Sequence, residues 1–121
     1  MKMIRQVIAY KRYFLDFYEI QNDEIQRKIE WTLNLLQTIE RVPSKYFEHI
    51  SGTSGLYEVR VEFGSNIFRI FAFFDKEKLV VLGNGFQKKT QKTPRIEIEK
   101  ALKIKSEYEN EKKYHDIKRN P

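Results

Sequence analysis

Arg60 and Arg69 are the residues whose chemistry most needs a setting. Arg69 interrupts the run Ile67, Phe68, Ile70, Phe71, Ala72, Phe73 and Phe74, in which every other side chain is apolar. A guanidinium buried without a partner is strongly destabilising, so Arg69 must meet an acid or face a cleft. Arg60 lies in the alternating segment just before it, and Gly64-Ser65-Asn66 is a turn sequence between the two. A register symmetric about Ser65 pairs Val61 with Arg69, whereas a one-residue offset pairs Arg60 with Arg69. Two guanidiniums on neighbouring strands repel unless an anion or an acid lies between them. Glu58 or Glu62 could supply the acid. The alternative is a phosphate, whose oxygens suit the planar fork of arginine donors. In that reading the cations converge on a spot free of acidic neighbours.

The remaining positive charge is concentrated close behind. Between Gly85 and Lys105 stand seven bases (Lys88, Lys89, Lys92, Arg95, Lys100, Lys103 and Lys105) and two acids (Glu97 and Glu99), a balance of +5 in a chain whose net charge is +6. Such a field favours phosphates through counterion release. A solvated helix face with a lysine-rich loop before it explains the same charges without a ligand. The absence of cysteine excludes a disulfide scaffold, a thiolate metal site and a cysteine nucleophile. With His49 and His115 as the only histidines, neither a metal centre nor a cofactor is expected. No apolar run reaches the roughly 18 residues of a membrane span, and Met1-Lys2-Met3-Ile4-Arg5 does not open a secretory signal. The expectation is a small cytoplasmic domain, with aromatic residues enough for a real core in 121 residues.

The elements that must position these residues follow from periodicity. Ile4 to Tyr10 reads as a short strand and Tyr13 to Ile20 as a short helix. Asp23 and Gln26 resemble a capping box, and Ile25, Ile29, Leu33, Leu36 and Ile39 recur at helical steps until Pro43 forbids more. The period then changes to two, with Tyr57, Val59, Val61 and Phe63 on one face and Glu58, Arg60 and Glu62 on the other. Ile67–Phe74 and Leu79–Leu82 are the second and third strands of an antiparallel meander. Gly83-Asn84-Gly85 breaks the pattern, and Gly85 to Pro94 reads as a loop whose lysines overhang one end of the meander. Thr93 as N-cap and Pro94 as first helical residue open a last helix, whose N-terminus would add free backbone donors to an anion site. Phe86 could stack on a base or belong to the core. From Glu109 to Pro121 the chain turns polar and reads as a fraying end.

At these residues a family resemblance becomes specific. The stretches SGLYEVRV, NIFRIFAFF and GFQKKTQKTPRIEIEKA resemble the HigB-type toxins of bacterial type II toxin–antitoxin modules, in the phage-derived Gp49-like branch of the RelE/ParE superfamily. The resemblance runs from about Ile4 to Tyr108. It implies an α+β fold of RelE type, an antiparallel meander packed against N-terminal helices with a C-terminal helix. Residues 1–108 would be the toxin domain and 109–121 a polar tail. It implies a ribosome-dependent endoribonuclease that cuts mRNA without a metal. The partners implied are a HigA-like helix-turn-helix antitoxin, the ribosome and mRNA, with operator DNA reached only through the antitoxin and no membrane.

The family's strand arginines fall on Arg60 and Arg69, and its basic loop on Lys88, Lys89 and Lys92, with Thr90 and Thr93 beside them. Relatives often carry a tyrosine or histidine near the reaction centre. This loop has neither, and Gly83-Asn84 stands where many have a histidine. His49 is the one histidine that could approach the cleft. The expected reaction is attack of a 2'-hydroxyl on the adjacent phosphate, giving a 2',3'-cyclic phosphate and a free 5'-hydroxyl. Arg60 and Arg69 would meet the phosphate charge. Lys89, and after it Lys88, would transfer the proton, since clustered cations lower a lysine's pKa. Lys92 and Arg95 would hold RNA backbone. Two other readings stand beside this one: a gyrase poison of the ParE kind, and a non-catalytic nucleic-acid-binding module or co-repressor.

Overall fold

The computed structural model describes residues 2–119. The chain runs β1 (Gln6–Ala9), α1 (Tyr13–Glu19), α2 (Asp23–Thr38), β2 (Phe47–His49), β3 (Tyr57–Phe63), β4 (Asn66–Lys76), β5 (Leu79–Lys88) and α3 (Arg95–Arg119). The strands form one sheet in the order β1-β5-β4-β3-β2. The expected meander, β3 to β5, is its antiparallel centre. β1 adds to one edge in parallel with β5, and β2 adds to the other edge antiparallel to β3. The fold is α+β, as expected. Among the described residues no helix is long and apolar enough to cross a membrane.

The α2 stripe does what its spacing requires. Ile25, Ile29 and Leu36 are buried, and with Phe14 and Phe17 of α1 they pack on Val59, Val61, Phe68, Ile70, Ala72, Val80 and Leu82. Each large apolar side chain removed from water here contributes roughly 1.5–3 kcal/mol. The helix starts differently from the expected capping box. Asn22 is the N-cap, its side-chain oxygen accepting from the Ile25 N–H at 2.9 Å, and Asp23 is already helical. Gln26 instead donates to the Tyr18 carbonyl at 2.9 Å, tying α2 to α1.

Strand β5 does not end at Leu82. It carries on through Gly83-Asn84-Gly85 to Lys88, with a register shift opposite Ile70–Ala72. The glycines permit the bulge rather than end the strand. A Cβ on Gly85 would lie 2.6 Å from the Phe17 ring, so only glycine fits where β5 crosses α1. Phe86, Gln87 and Lys88 are therefore strand residues, and the basic loop shortens to residues 89–94.

α3 covers the opposite sheet face, but only in part. Ala101 packs with Phe71 and Leu56, and Ile104 with Phe73 and Val81. The helix begins at Arg95, with the Pro94 carbonyl accepting from the Ile98 N–H at 3.3 Å. Thr93 does not cap it; its hydroxyl donates to Glu58. The polar tail expected over residues 109–121 is, as far as 119, the last turns of this helix; 120 and 121 lie outside the described residues. Polar contacts hold the helix over residues 107–112. Lys112 and Tyr108 both bond the Asp75 carboxylate, and Lys11 pairs with Glu107 at 3.0 Å and Glu111 at 2.9 Å. The face of the sheet that α3 leaves uncovered, towards the β3–β4 turn, is where the two arginines lie.

Candidate phosphate site

The β3–β4 hairpin closes through a two-residue loop, Gly64-Ser65, with Phe63 opposite Asn66. Gly64 has φ +61, a left-handed value that glycine adopts without strain. That turn sets the offset register and places Arg60 directly opposite Arg69. Strand alternation then puts Glu58, Arg60, Ile67, Arg69 and Phe71 on one face. β5 adds Phe86 opposite Arg69 and Lys88 opposite Ile67, and β2 adds Glu48 opposite Glu58.

Arg69 is buried, at 4% exposure. Its Nη1 donates to the Phe68 carbonyl at 3.1 Å, while its Nε lies 3.6 Å from Glu58 Oε1 and has no hydrogen-bond acceptor. Arg60 Nε lies 3.4 Å from that same oxygen. Arg60 Nη1 also donates to Glu48 Oε2 at 2.9 Å and to the Ser44 carbonyl at 3.3 Å. Glu58 Oε2 accepts from the Thr93 hydroxyl at 3.3 Å. The cations converge, but the spot is not free of acids: Glu58 stands between the guanidiniums, and Glu48 flanks the outer one. The reason is electrostatic. Two facing guanidiniums, one of them buried, need a counter-charge in the empty protein. Glu62, opposite Ile67 on the same face, also acts on Arg69, but from an exposed position.

Burial holds the Arg69 guanidinium below the ordinary arginine range; Glu58 opposes this and Arg60 adds to it. Lys88 is also lowered, first by burial and then by Arg69 and Arg60, with Glu58 opposing. Depressing an ammonium towards neutrality makes it a better proton donor.

The other expected site residues are placed apart. Lys89, Thr90 and Lys92 are exposed in the loop, where the Thr90 hydroxyl donates to the Lys92 carbonyl at 2.7 Å. Arg95, its side chain 90% exposed, pairs with Glu99 one turn along α3 at 3.2 Å. Phe86 is half-buried and stacks on Phe71 at 5.7 Å, against the apolar cluster beneath α3. His49 is on the other side of the sheet, since its neighbour Glu48 faces the cluster. Its ring meets Tyr57 edge-on, and Nε2 lies 3.1 Å from the Thr53 carbonyl. Sequence reading missed Glu48, because a three-residue strand leaves no period to detect.

Comparison with known proteins agrees with this fold. The E. coli toxin RelE, solved free as a double arginine-to-alanine mutant, superposes with a TM-score of 0.61 at 13% identity, covering 84% of this chain and 98% of that one. A RelE–RelB complex from Pyrococcus horikoshii gives 0.49 at 15% identity, over 69% of this chain and 93% of that one. No curated protein matches by sequence. Residues 16–106, three quarters of the chain, match the family of phage-derived Gp49-like proteins (DUF891). The chain belongs to the Gp49-like family and has the fold of RelE.

Proposed function

We propose that this protein is the toxin of a type II toxin–antitoxin pair and cleaves mRNA on the ribosome, in the cytoplasm, without a metal or cofactor. The observation that carries the reading is the convergence of Arg60, Arg69 and Lys88, from three adjacent strands, on the part of one sheet face that α3 leaves uncovered. A phosphate bound there shares the guanidiniums with Glu58, and its growing negative charge in the transition state meets two fixed forks of donors. Glu58 is the proton acceptor nearest that phosphate and takes the proton of the attacking 2'-hydroxyl. Lys88, lowered and beside Arg69, gives a proton to the departing 5'-oxygen. The P–O5' bond breaks as the P–O2' bond forms, leaving a 2',3'-cyclic phosphate. Lys88 takes the role first assigned to Lys89, which points out into solvent beyond the strand. Lys89, Lys92, Thr90 and Arg95 contact RNA backbone. A HigA-like helix-turn-helix antitoxin neutralises the protein and links it to operator DNA.

The test is cleavage mapped by primer extension in a translating extract. Arg60→Gln and Lys88→Gln alter half-buried side chains, so both variants are expected to keep the circular dichroism of the parent. Each should lose about 100-fold or more in cleavage, the scale for one transition-state donor. Full cleavage by both folded variants would refute the site. Gyrase-dependent DNA breaks with intact mRNA would establish the ParE-like reading instead. The carboxylates already on both guanidiniums favour one further reading, a module that binds RNA without cutting it. Saturable RNA binding with no cleavage on or off the ribosome would establish that.

A further inference from the structure

Arg60 also lines a second feature. Between α2 and the turn before β2 lies a cavity of about 230 Å³, bounded by Lys28, Lys45, Tyr46, Arg60, Glu62 and Gly64. Tyr46 is its one aromatic wall, and Trp31 stands beside it. The Trp31 ring meets the Tyr46 ring at 5.5 Å, and Lys28 Nζ sits 4.1 Å over the Trp31 face. Lys45 Nζ is 5.7 Å from the Tyr46 ring. Lys28 and Trp31 are three residues apart on α2 and so share a helix face. The Arg60 N–H donates to the Tyr46 carbonyl at 2.8 Å, which fixes this turn against β3. Three cations and one carboxylate line the cavity, and Trp31 is 46% exposed. A large ring kept half in water, with an ammonium over its face, does little for the core.

We infer that the Lys28–Trp31–Lys45–Tyr46 cleft is a stacking subsite for single-stranded RNA, taking the base next to the phosphate held by Arg60 and Arg69. This rests on the RNA-directed reading above, but not on cleavage. Exposed aromatic faces among cations suit a nucleotide, because every base offers a π-face and every linkage a phosphate. A base arriving on Trp31 takes the place of the Lys28 ammonium, which is then released to the adjoining phosphate. Arg60 is shared between the cleft and the arginine cluster, so one strand can run continuously through both. An acidic peptide would satisfy the cations but would leave the Trp31 face unused.

Trp31 is the only tryptophan, so its emission reports on this cleft alone. The probe is a 2'-O-methyl hexanucleotide, which cannot be cleaved. Titration into the full-length protein should quench Trp31 saturably. An abasic oligomer of equal charge should bind more weakly and leave the emission unchanged. By anisotropy of a labelled hexanucleotide, Trp31→Ala should bind about tenfold more weakly, the ratio for one lost base–aromatic stack. Trp31→Phe should restore most of the affinity, which a merely structural role for the indole would not predict. Lys28→Gln with Lys45→Gln should weaken binding and flatten its salt dependence. Absence of quenching, equal binding of the abasic oligomer, or full affinity in Trp31→Ala each overturns the subsite. Stronger quenching by an acidic peptide than by the hexanucleotide also overturns it, in favour of a protein contact. Quenching with no mRNA cleavage in extract leaves the subsite standing and removes the nuclease. Cleavage with Trp31 unperturbed does the reverse.

Discussion

Replacing Glu58 by glutamine removes one charge and almost no volume, and it isolates the electrostatic account of the cluster. In the native protein Glu58 Oε1 lies 3.4 Å from Arg60 Nε and 3.6 Å from Arg69 Nε. At such separations, with an effective dielectric constant near 20, each attraction is on the order of 5 kcal/mol before desolvation. Arg60 keeps Glu48 and reaches water, so its share of the loss is small. Arg69 keeps only a backbone carbonyl and is buried. The cost is therefore that of a buried ion stripped of its partner, about 3–5 kcal/mol. Glu58→Gln should lose that much unfolding free energy in urea, a large part of what a domain of this size possesses. Adding Arg69→Met removes the stranded charge and should return the protein to within about 2 kcal/mol of the parent. Inorganic phosphate should stabilise Glu58→Gln more than the parent, by standing in for the missing carboxylate. If Glu58→Gln loses less than about 1 kcal/mol, or the double variant is no better than the single, Glu58 is not the counter-ion of Arg69.

Other expectations concern the frame around the site. Gly85→Ala should cost about 1–3 kcal/mol in thermal unfolding, because its Cβ falls 2.6 Å from the Phe17 ring, and adding Phe17→Leu should recover part of the loss. Asn22→Ala should lower stability by about 1 kcal/mol and Asp23→Ala by less, measured by urea melts, because Asn22 carries the cap of α2. Burial, helped by the bond to Asp75, pushes the Tyr108 hydroxyl up to about 12. A raised native pKa means this contribution is complete below the ordinary tyrosine value near 10 and is lost as the pH climbs through 12. The stability gap between the parent and Tyr108→Phe should accordingly narrow over about pH 10–12 in urea melts.

The parts of the fold that sequence alone revealed are those where burial is one-sided and periodic. Ile25, Ile29 and Leu36 mark α2 because their helix has one wet face, and the β3–β5 meander is legible from its turns. The neighbouring arginines were legible too, because Arg69 is so out of place among Phe and Ile. Their register was not, since a one-residue change in loop length is invisible until the turn geometry is seen. The extension of β5 was hidden because two glycines and an asparagine imitate a loop in composition while forming a bulge in space. The far half of α3 has no apolar stripe; Asp75, Lys11 and the side chains they meet hold it, and such pairing across long sequence distances leaves no local pattern. Glu58 was one of two possible acids, and only the backbone could choose it over Glu62, which is exposed.

The parallel pairing of β1 with β5 carries a consequence for synthesis. Residues 6–9 leave the ribosome before the other strands of this sheet, and they align with residues 79–82 of the last one. The hairpins between them can zip locally and early, but this edge must wait for most of the chain. Lys88 lies on the same late strand, so the three cations come together only once the last strand of the sheet has emerged. The cation cluster is in this way among the last parts of the sheet to be assembled.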